Sequence, residues 1–366
     1  MAIGFPVKAD YATGDVLSAA NMNDLSGSVN LLESAQYAAG KNKIINGDFN
    51  INQRAFSSTT SSGVFMYDRY QSRADTGTST FTAQTFTPGT APVAGYESTN
   101  FLRIDSTGQT ATNARTAFFQ LIENVRTFAG ETVTFSFWAK ASSGTPSIAA
   151  FMNQNFGSGG STTVNINGQK TAITTSWARY SFTFSVPSIS GKTIGAGSYL
   201  GAWIYTSAGS DYNTQTNSLG IQTTTIDVWG VQVEEGSVAS AFQTATGTIQ
   251  GELAACQRYY FRTTATAQYQ PFGGFALSES TSQCLTMFTF PVTMRVRPTT
   301  LDSASVRFYD VVSATAYSGG TLTLADSTPN IGMTRYTHTS SPFTLGRMMI
   351  TNTDSATGFY GFSAEL

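Results

Sequence analysis

Acidic groups are scarce in this chain: 22 Asp and Glu stand among 366 residues, with 20 Lys and Arg and one histidine, His338. Glycoside hydrolysis needs two carboxyl groups roughly 5–9.5 Å apart across the scissile bond. The most conspicuous acidic pair, Glu234-Glu235, lies in a segment that alternates like a strand. Neighbouring strand residues point to opposite faces, so the pair does not converge on one bond. A serine triad would have to use His338, and no serine sits in a nucleophile-elbow sequence. No Cys/His cluster suits zinc and no Gly-rich motif suits phosphate. No repeat of roughly 20–30 residues marks a parallel β-helix depolymerase. The inventory points to binding rather than catalysis. Sugar sites combine an aromatic ring for the apolar face of the sugar with amides and hydroxyls for its hydroxyl groups. Tyr309, Tyr317, Tyr336, Phe343 and Tyr360 lie among Ser, Thr and Asn, near the turn Ser318-Gly319-Gly320, and are the candidate carbohydrate-binding residues. The polar stretches 157–161 and 207–217 are alternative contact sites.

These residues need a β-rich frame, and the composition supplies one. Hydrophobic residues make up 40% and aromatic residues 13%, enough for a packed core. Charged residues make up only 11%, against about 25% in an average domain. The surface must then be Ser, Thr, Asn, Gln and Gly, which suits turns, sugar contacts and assembly. The net charge of −2 comes without a basic stripe, so nucleic-acid binding has no electrostatic footing. No stretch approaches the ~20 apolar residues of a membrane span. Residues 1–10 lack the basic-then-apolar pattern of a signal peptide. Synthesis in a cytoplasm, without Sec-type export, is the expectation. Cys256 and Cys284 are too few for a disulfide framework and read as buried free thiols.

The length suggests two or three domains. Within 1–41, Met22, Leu25, Val29 and Leu32 keep the a/d spacing of a heptad. This predicts a helix over 18–39 that sets an oligomer; an ordinary helix packed on the next domain is the alternative. Across 42–245, period-2 alternation dominates. In 199–205, Leu200, Ala202 and Ile204 share one face, and Tyr199, Gly201, Trp203 and Tyr205 the other. In 226–233, Asp227, Trp229, Val231 and Val233 fall together. Short strands between Gly/Ser/Thr turns predict an antiparallel jelly roll. Residues 246–366 open with a helical stretch over 248–260 and return to strands. The predicted fold is mainly β: an N-terminal helix, a jelly-roll sandwich and a second, C-terminal sandwich.

Several motifs carry a resemblance. Asn46-Gly47-Asp48-Phe49-Asn50-Ile51-Asn52-Gln53-Arg54 is followed by Tyr67-Asp68-Arg69-Tyr70 and later by Gln232-Val233-Glu234-Glu235-Gly236-Ser237. Residues 252–260, residues 290–298, the closing Ala364-Glu365-Leu366 and the opening stretch 14–23 continue the series. Together they resemble bacteriophage tail-fibre and receptor-binding tail proteins. The resemblance implies a virion tail component, assembled in the host cytoplasm. Its residues 1–41 would dock on tail or baseplate proteins, its chains would form a homotrimer, and its β-domains would read a bacterial surface glycan. A structural collar or minor tail protein and a polysaccharide depolymerase tailspike are the alternatives. The 42–245 region also resembles carbohydrate-binding jelly rolls, which open on an Asn-Gly-x-Phe strand and close on an Ile-Asp strand, here 46–49 and 226–229. That fold can hold a structural Ca²⁺, which implies Asp48 and Asp227 as ligands with the Gly47 carbonyl. Calcium takes about six to eight oxygens, and Asn50 stands where the fold usually carries acidic residues. The alternative is that Asp48 caps a turn and Asp227 pairs with an arginine such as Arg69.

Overall fold

A computed structural model describes residues 40–366. Two sheets build the first unit. One has six strands in the order β1 (Ser58–Thr59), β3 (Thr78–Thr85), β4 (Asn100–Thr107), β11 (Thr224–Glu235), β6 (Thr132–Ala141) and β9 (Ala178–Ser185). The other has five: β2 (Gln71–Asp75), β5 (Arg115–Glu123), β10 (Tyr199–Ala208), β7 (Ser147–Asn155) and β8 (Val164–Ala172). Their pairings are antiparallel. The alternating residues of β6, Val133, Phe135, Phe137 and Ala139, meet Ile148, Met152, Leu200, Ala202 and Ile204 of the opposite sheet in one core. The unit is a jelly-roll-like sandwich, in which burial of the two inner faces supplies the driving force.

One alternation is broken. Asp227, Trp229 and Val233 were expected on one face, but β11 shifts register between Trp229 and Gln232. Trp229 pairs with Trp138, whereas Val233 pairs with Phe135 on the opposite face. Gly230 takes a positive φ of 66° at the shift, and a bulge of this kind reverses side-chain direction.

The second unit has a three-stranded sheet, β12 (Tyr260–Thr264), β21 (Phe359–Ser363) and β15 (Thr300–Ala304). It lies beside a seven-stranded sheet in the order β17 (Thr315–Tyr317), β16 (Val306–Asp310), β20 (Met348–Thr353), β13 (Pro271–Ser278), β14 (Gln283–Thr289), β19 (Ile331–Thr337) and β18 (Thr321–Ser327). Phe272, Phe288, Phe290, Tyr360 and Phe362 fill the space between them.

The expected architecture of an N-terminal helix, a jelly-roll sandwich and a second, C-terminal sandwich is therefore corrected. The described residues are nearly all β, in four sheets. Helix is limited to Ser210–Tyr212, Asn213–Thr216 and Ile249–Gln257. The C-terminal unit sets a three-stranded sheet beside a seven-stranded one. The expected helix with Met22, Leu25, Val29 and Leu32 lies outside the described residues. Among the described residues, no helix is long and apolar enough to cross a membrane. Cys256 and Cys284 are buried and unpaired.

The helix Ile249–Gln257 joins the two units. Thr248 caps it by accepting from the Gly251 N–H. Glu252 accepts from the Asn46 N–H at 2.6 Å, the Thr246 N–H at 2.7 Å and the Thr246 hydroxyl at 2.9 Å. The end of the chain completes the joint. Glu365 pairs with Arg54 at 3.2 Å and with Arg69. The two guanidinium groups lie over Tyr260, at 3.6 Å, and Tyr259, at 3.4 Å.

Candidate functional site

The two outer faces of the first sandwich differ. On the six-stranded sheet, Trp138 and Trp229 are roofed by Tyr96 and Phe242 from connecting segments, and Trp229 is fully buried. On the five-stranded sheet the outer face stays partly open. Strand register places Gln71, Phe119, Trp203 and Phe151 in one cross-strand row. Arg73, Ala117, Tyr205, Ala149 and Lys170 form the next. Leu121, Gly201, Asn153 and Asn165 form a third.

The middle of this face is aromatic. Phe119 and Trp203 stack with centroids 3.8 Å apart and planes 22° apart. Tyr205 follows Trp203 at 6.1 Å and 26°. The segment after β10 folds over one end of the face, where Tyr212 lies 6.3 Å from Tyr205. Its backbone approaches so closely that a Cβ on Gly168 would meet the Gln215 carbonyl at 1.8 Å. This cover buries Phe151 and Tyr205 but leaves Trp203 half-buried. The Trp203 indole N–H donates to Asn153 Oδ1 at 2.9 Å. Gly201 makes room for that bond: a Cβ there would lie 2.3 Å from Asn153 Oδ1 and 2.7 Å from Trp203 Nε1.

An aromatic floor bordered by Gln71, Arg73, Asn153, Asn165 and Lys170 offers an apolar platform with donors and acceptors at its rim. That pairing suits the apolar faces and hydroxyls of a sugar. Burial pushes the Tyr205 hydroxyl up to about 12, with Arg115 opposing the shift, so Tyr205 stays protonated and neutral at physiological pH.

The C-terminal candidates are divided. Tyr360 is core, packed on Phe288 and Phe272 with its hydroxyl bonded to Thr334. Tyr336 stacks on Phe308 at 4.4 Å, and Phe343 packs edge-on against Tyr317. Tyr336, Phe343 and Tyr360 are buried, so their ring faces are not open to a ligand, whereas Tyr309 and Tyr317 are partly exposed. The turn Ser318-Gly319-Gly320 borders a polar cleft of about 420 Å³ with Ser303, Ser305 and Asp354. There the Tyr336 hydroxyl accepts from the Gly320 N–H at 3.0 Å. The His338 ring bonds to Ser340 in its own turn and packs against Tyr317, Tyr336 and Phe343, while its backbone N–H donates to the Ser282 carbonyl at 2.9 Å.

The acidic residues hold structural positions. Glu234 is buried, pairs with Lys41 at 3.2 Å and accepts from Ser240, while Glu235 faces solvent. Asp227 is held by Arg103 at 2.7 Å and 2.9 Å and by Lys140 at 3.6 Å. Its arginine partner is thus Arg103 rather than Arg69. Asp48 accepts from Tyr96 at 2.8 Å and Asn50 at 2.7 Å, and its other oxygen is buried without a partner. Asp48 and Glu252 line one cleft of about 390 Å³, and burial pushes both carboxyl groups up. The Gly47 carbonyl accepts from the Val231 N–H at 2.9 Å. With two cations on Asp227, the Asp48–Asp227 pair does not fit a shared Ca²⁺. Among the described residues, no group of three or more His, Cys, Asp or Glu could hold a metal ion.

Residues 41–195 match the family model described as a carbohydrate binding domain. The matched stretch contains Phe119 and Asn153 and stops short of Trp203. Such a domain is non-catalytic by itself. A comparison with curated protein sequences finds no match. Among solved structures, the chain is similar to a CBM4 protein at 20% identity, with 52% of this chain and 98% of that one covered and a TM-score of 0.29. It is similar to the xylan-binding CBM22-1 domain of a Paenibacillus barcinonensis protein at 14% identity, covering 55% and 98%, with a TM-score of 0.30. It is also similar to the enzymatically active domain of tailspike protein 4 of bacteriophage CBA120 at 14% identity, with a TM-score of 0.29. That alignment covers 54% of this chain and 22% of the tailspike chain.

Proposed function

We propose that this protein binds a glycan through the outer face of the five-stranded sheet, with Trp203 as the platform. One observation carries the reading: the half-buried Trp203, stacked on Phe119 and oriented by Asn153, sits in a sandwich whose 41–195 stretch matches a carbohydrate binding domain. Gln71, Asn153 and Asn165 meet sugar hydroxyls, while Arg73 and Lys170 favour an acidic sugar or a phosphorylated core. Affinity for one site is weak, and presentation of several sites on one assembly supplies the rest.

The motifs from Asn46 to Arg54 and from Gln232 to Ser237 extend the proposal to place. The protein is a structural component of a bacteriophage tail, docked through its first residues and facing a bacterial surface glycan. A panel of soluble plant glucans, xylans and bacterial lipopolysaccharides, probed with the full chain, tests the reading. Saturable binding to at least one member, with no release of reducing ends, is the expected result. Binding to none leaves a purely structural role; product release turns the reading toward a depolymerase.

A further inference from the structure

The seven-stranded sheet of the second unit carries large apolar side chains on both faces, and its inner face buries Phe272, Phe288, Phe308 and Met349 beside threonines. On its inner side lie Thr286, Thr334 and Thr351, all fully buried. On its outer side lie Phe275, Leu277, Met287 and Met348, exposed by 64%, 52%, 58% and 58%. Strand register gathers the outer residues into two adjoining rows. Tyr309, Ile350 and Phe275 lie opposite one another across β16, β20 and β13. On the neighbouring strands Met287 of β14 lies opposite Met333 of β19. Met348, Leu277 and Leu285 form the second row, which passes to Arg335 and Thr323 on β19 and β18. Charges stand at the borders: Arg335 pairs with Glu279 at 2.5 Å, Arg307 with Asp354 at 3.5 Å, and the exposed Asp326 lies opposite Met333 on the edge strand β18.

An antiparallel sheet with one face in water keeps polar residues on that face. A contiguous apolar patch rimmed by polar residues marks an interaction surface. The band offers an aromatic ring and thioethers but no row of amides or hydroxyls, so it is no sugar site. From Tyr309 to Met287, and from Met348 to Leu285, the rows carry no charge, so a charged macromolecule gains nothing there. A neutral apolar band is complementary to itself, and two copies meeting there desolvate no ion. The heptad-spaced Met22, Leu25, Val29 and Leu32 independently predict copies of this chain side by side. We infer that the Phe275–Leu277–Met287–Met348 band is the contact surface between copies of this chain. The inference stands apart from the glycan reading, since the two faces belong to different sheets.

Met287 and Met348 report on the band directly in the full-length protein. Sedimentation is expected to show a multimer in which peroxide oxidises these two residues several-fold more slowly than free methionine. The double variant Phe275→Asp, Leu277→Asp alters exposed positions only. It should keep the wild-type circular dichroism and return Met348 to the rate of free methionine, whether or not the multimer persists through its N-terminal seam. A monomer would overturn the inference, and so would a multimer with both methionines freely oxidised. Continued protection of Met348 in the folded double variant would do the same.

Discussion

The indole N–H of Trp203 on β10 donates a 2.9 Å hydrogen bond to Oδ1 of Asn153 on β7. This bond fixes the ring that has surface left for a ligand. Asn153→Ala removes the acceptor, and a net hydrogen bond of about 1 kcal/mol corresponds to roughly fivefold weaker glycan binding. Gly201→Ala reaches the same end by steric intrusion on the pair. Both effects are read by titration calorimetry, with the thermal midpoint as the control for folding.

Asp227 carries two cations, and this explains its burial better than a metal does. Its side chain is 5% exposed, while Arg103 and Lys140 are 36% and 31% exposed. Asp227→Ala leaves Arg103 and Lys140 facing each other. With their solvent screening allowed for, denaturant unfolding should show a loss of about 1–3 kcal/mol. A chelator should leave the wild-type midpoint where it is. A downward shift with chelator, reversed by calcium, would contradict this assignment.

Glu365 holds the two units together from the far end of the chain. Its side chain is 5% exposed, and those of Arg69 and Arg54 are 2% and 12% exposed. Glu365→Ala leaves the buried Arg69 guanidinium without its carboxylate, while Arg54 keeps Asp68 at 3.2 Å, and breaking a buried pair of this kind typically costs about 3–5 kcal/mol. Limited proteolysis near residue 258 should accelerate as the joint opens, together with a lower thermal midpoint.

Asp68 makes the joint pH-sensitive. Burial raises its carboxyl from 3.8 to about 6, against the opposing pull of Arg54 and the Gln53 N–H. Between these values the folded state binds more protons than the unfolded chain, so this group adds stability as pH falls through about 6 and loses it as pH rises. Asp68→Asn removes that contribution. The difference in unfolding midpoint between wild type and variant should shift in favour of wild type on going from pH 7 to pH 5.

The faces of β10 were legible in the sequence, because Leu200, Ala202 and Ile204 alternate with Trp203 and Tyr205 and the sheet preserves that alternation. The site was not, because which outer face stays open depends on distant segments. Tyr96 and Phe242 close the six-stranded sheet, whereas the segment after β10 covers only part of the five-stranded one. Polar surroundings misled in the C-terminal unit. Thr286, Thr334 and Thr351 look like surface residues yet are buried, and Tyr336, Phe343 and Tyr360 go inside with them. The side-chain reversal at Gly230 has no local sequence signature beyond the glycine itself, so the expected grouping of Trp229 with Val233 failed there.

Trp203 is the proposed sugar platform. Its most direct test is calorimetric titration of the tightest glycan from the binding panel into wild type, Trp203→Ala and Tyr317→Ala. The predicted result is at least about tenfold weaker binding for Trp203→Ala, or about 1.4 kcal/mol, with Tyr317→Ala unchanged. Wild-type affinity in a folded Trp203→Ala protein would contradict the account.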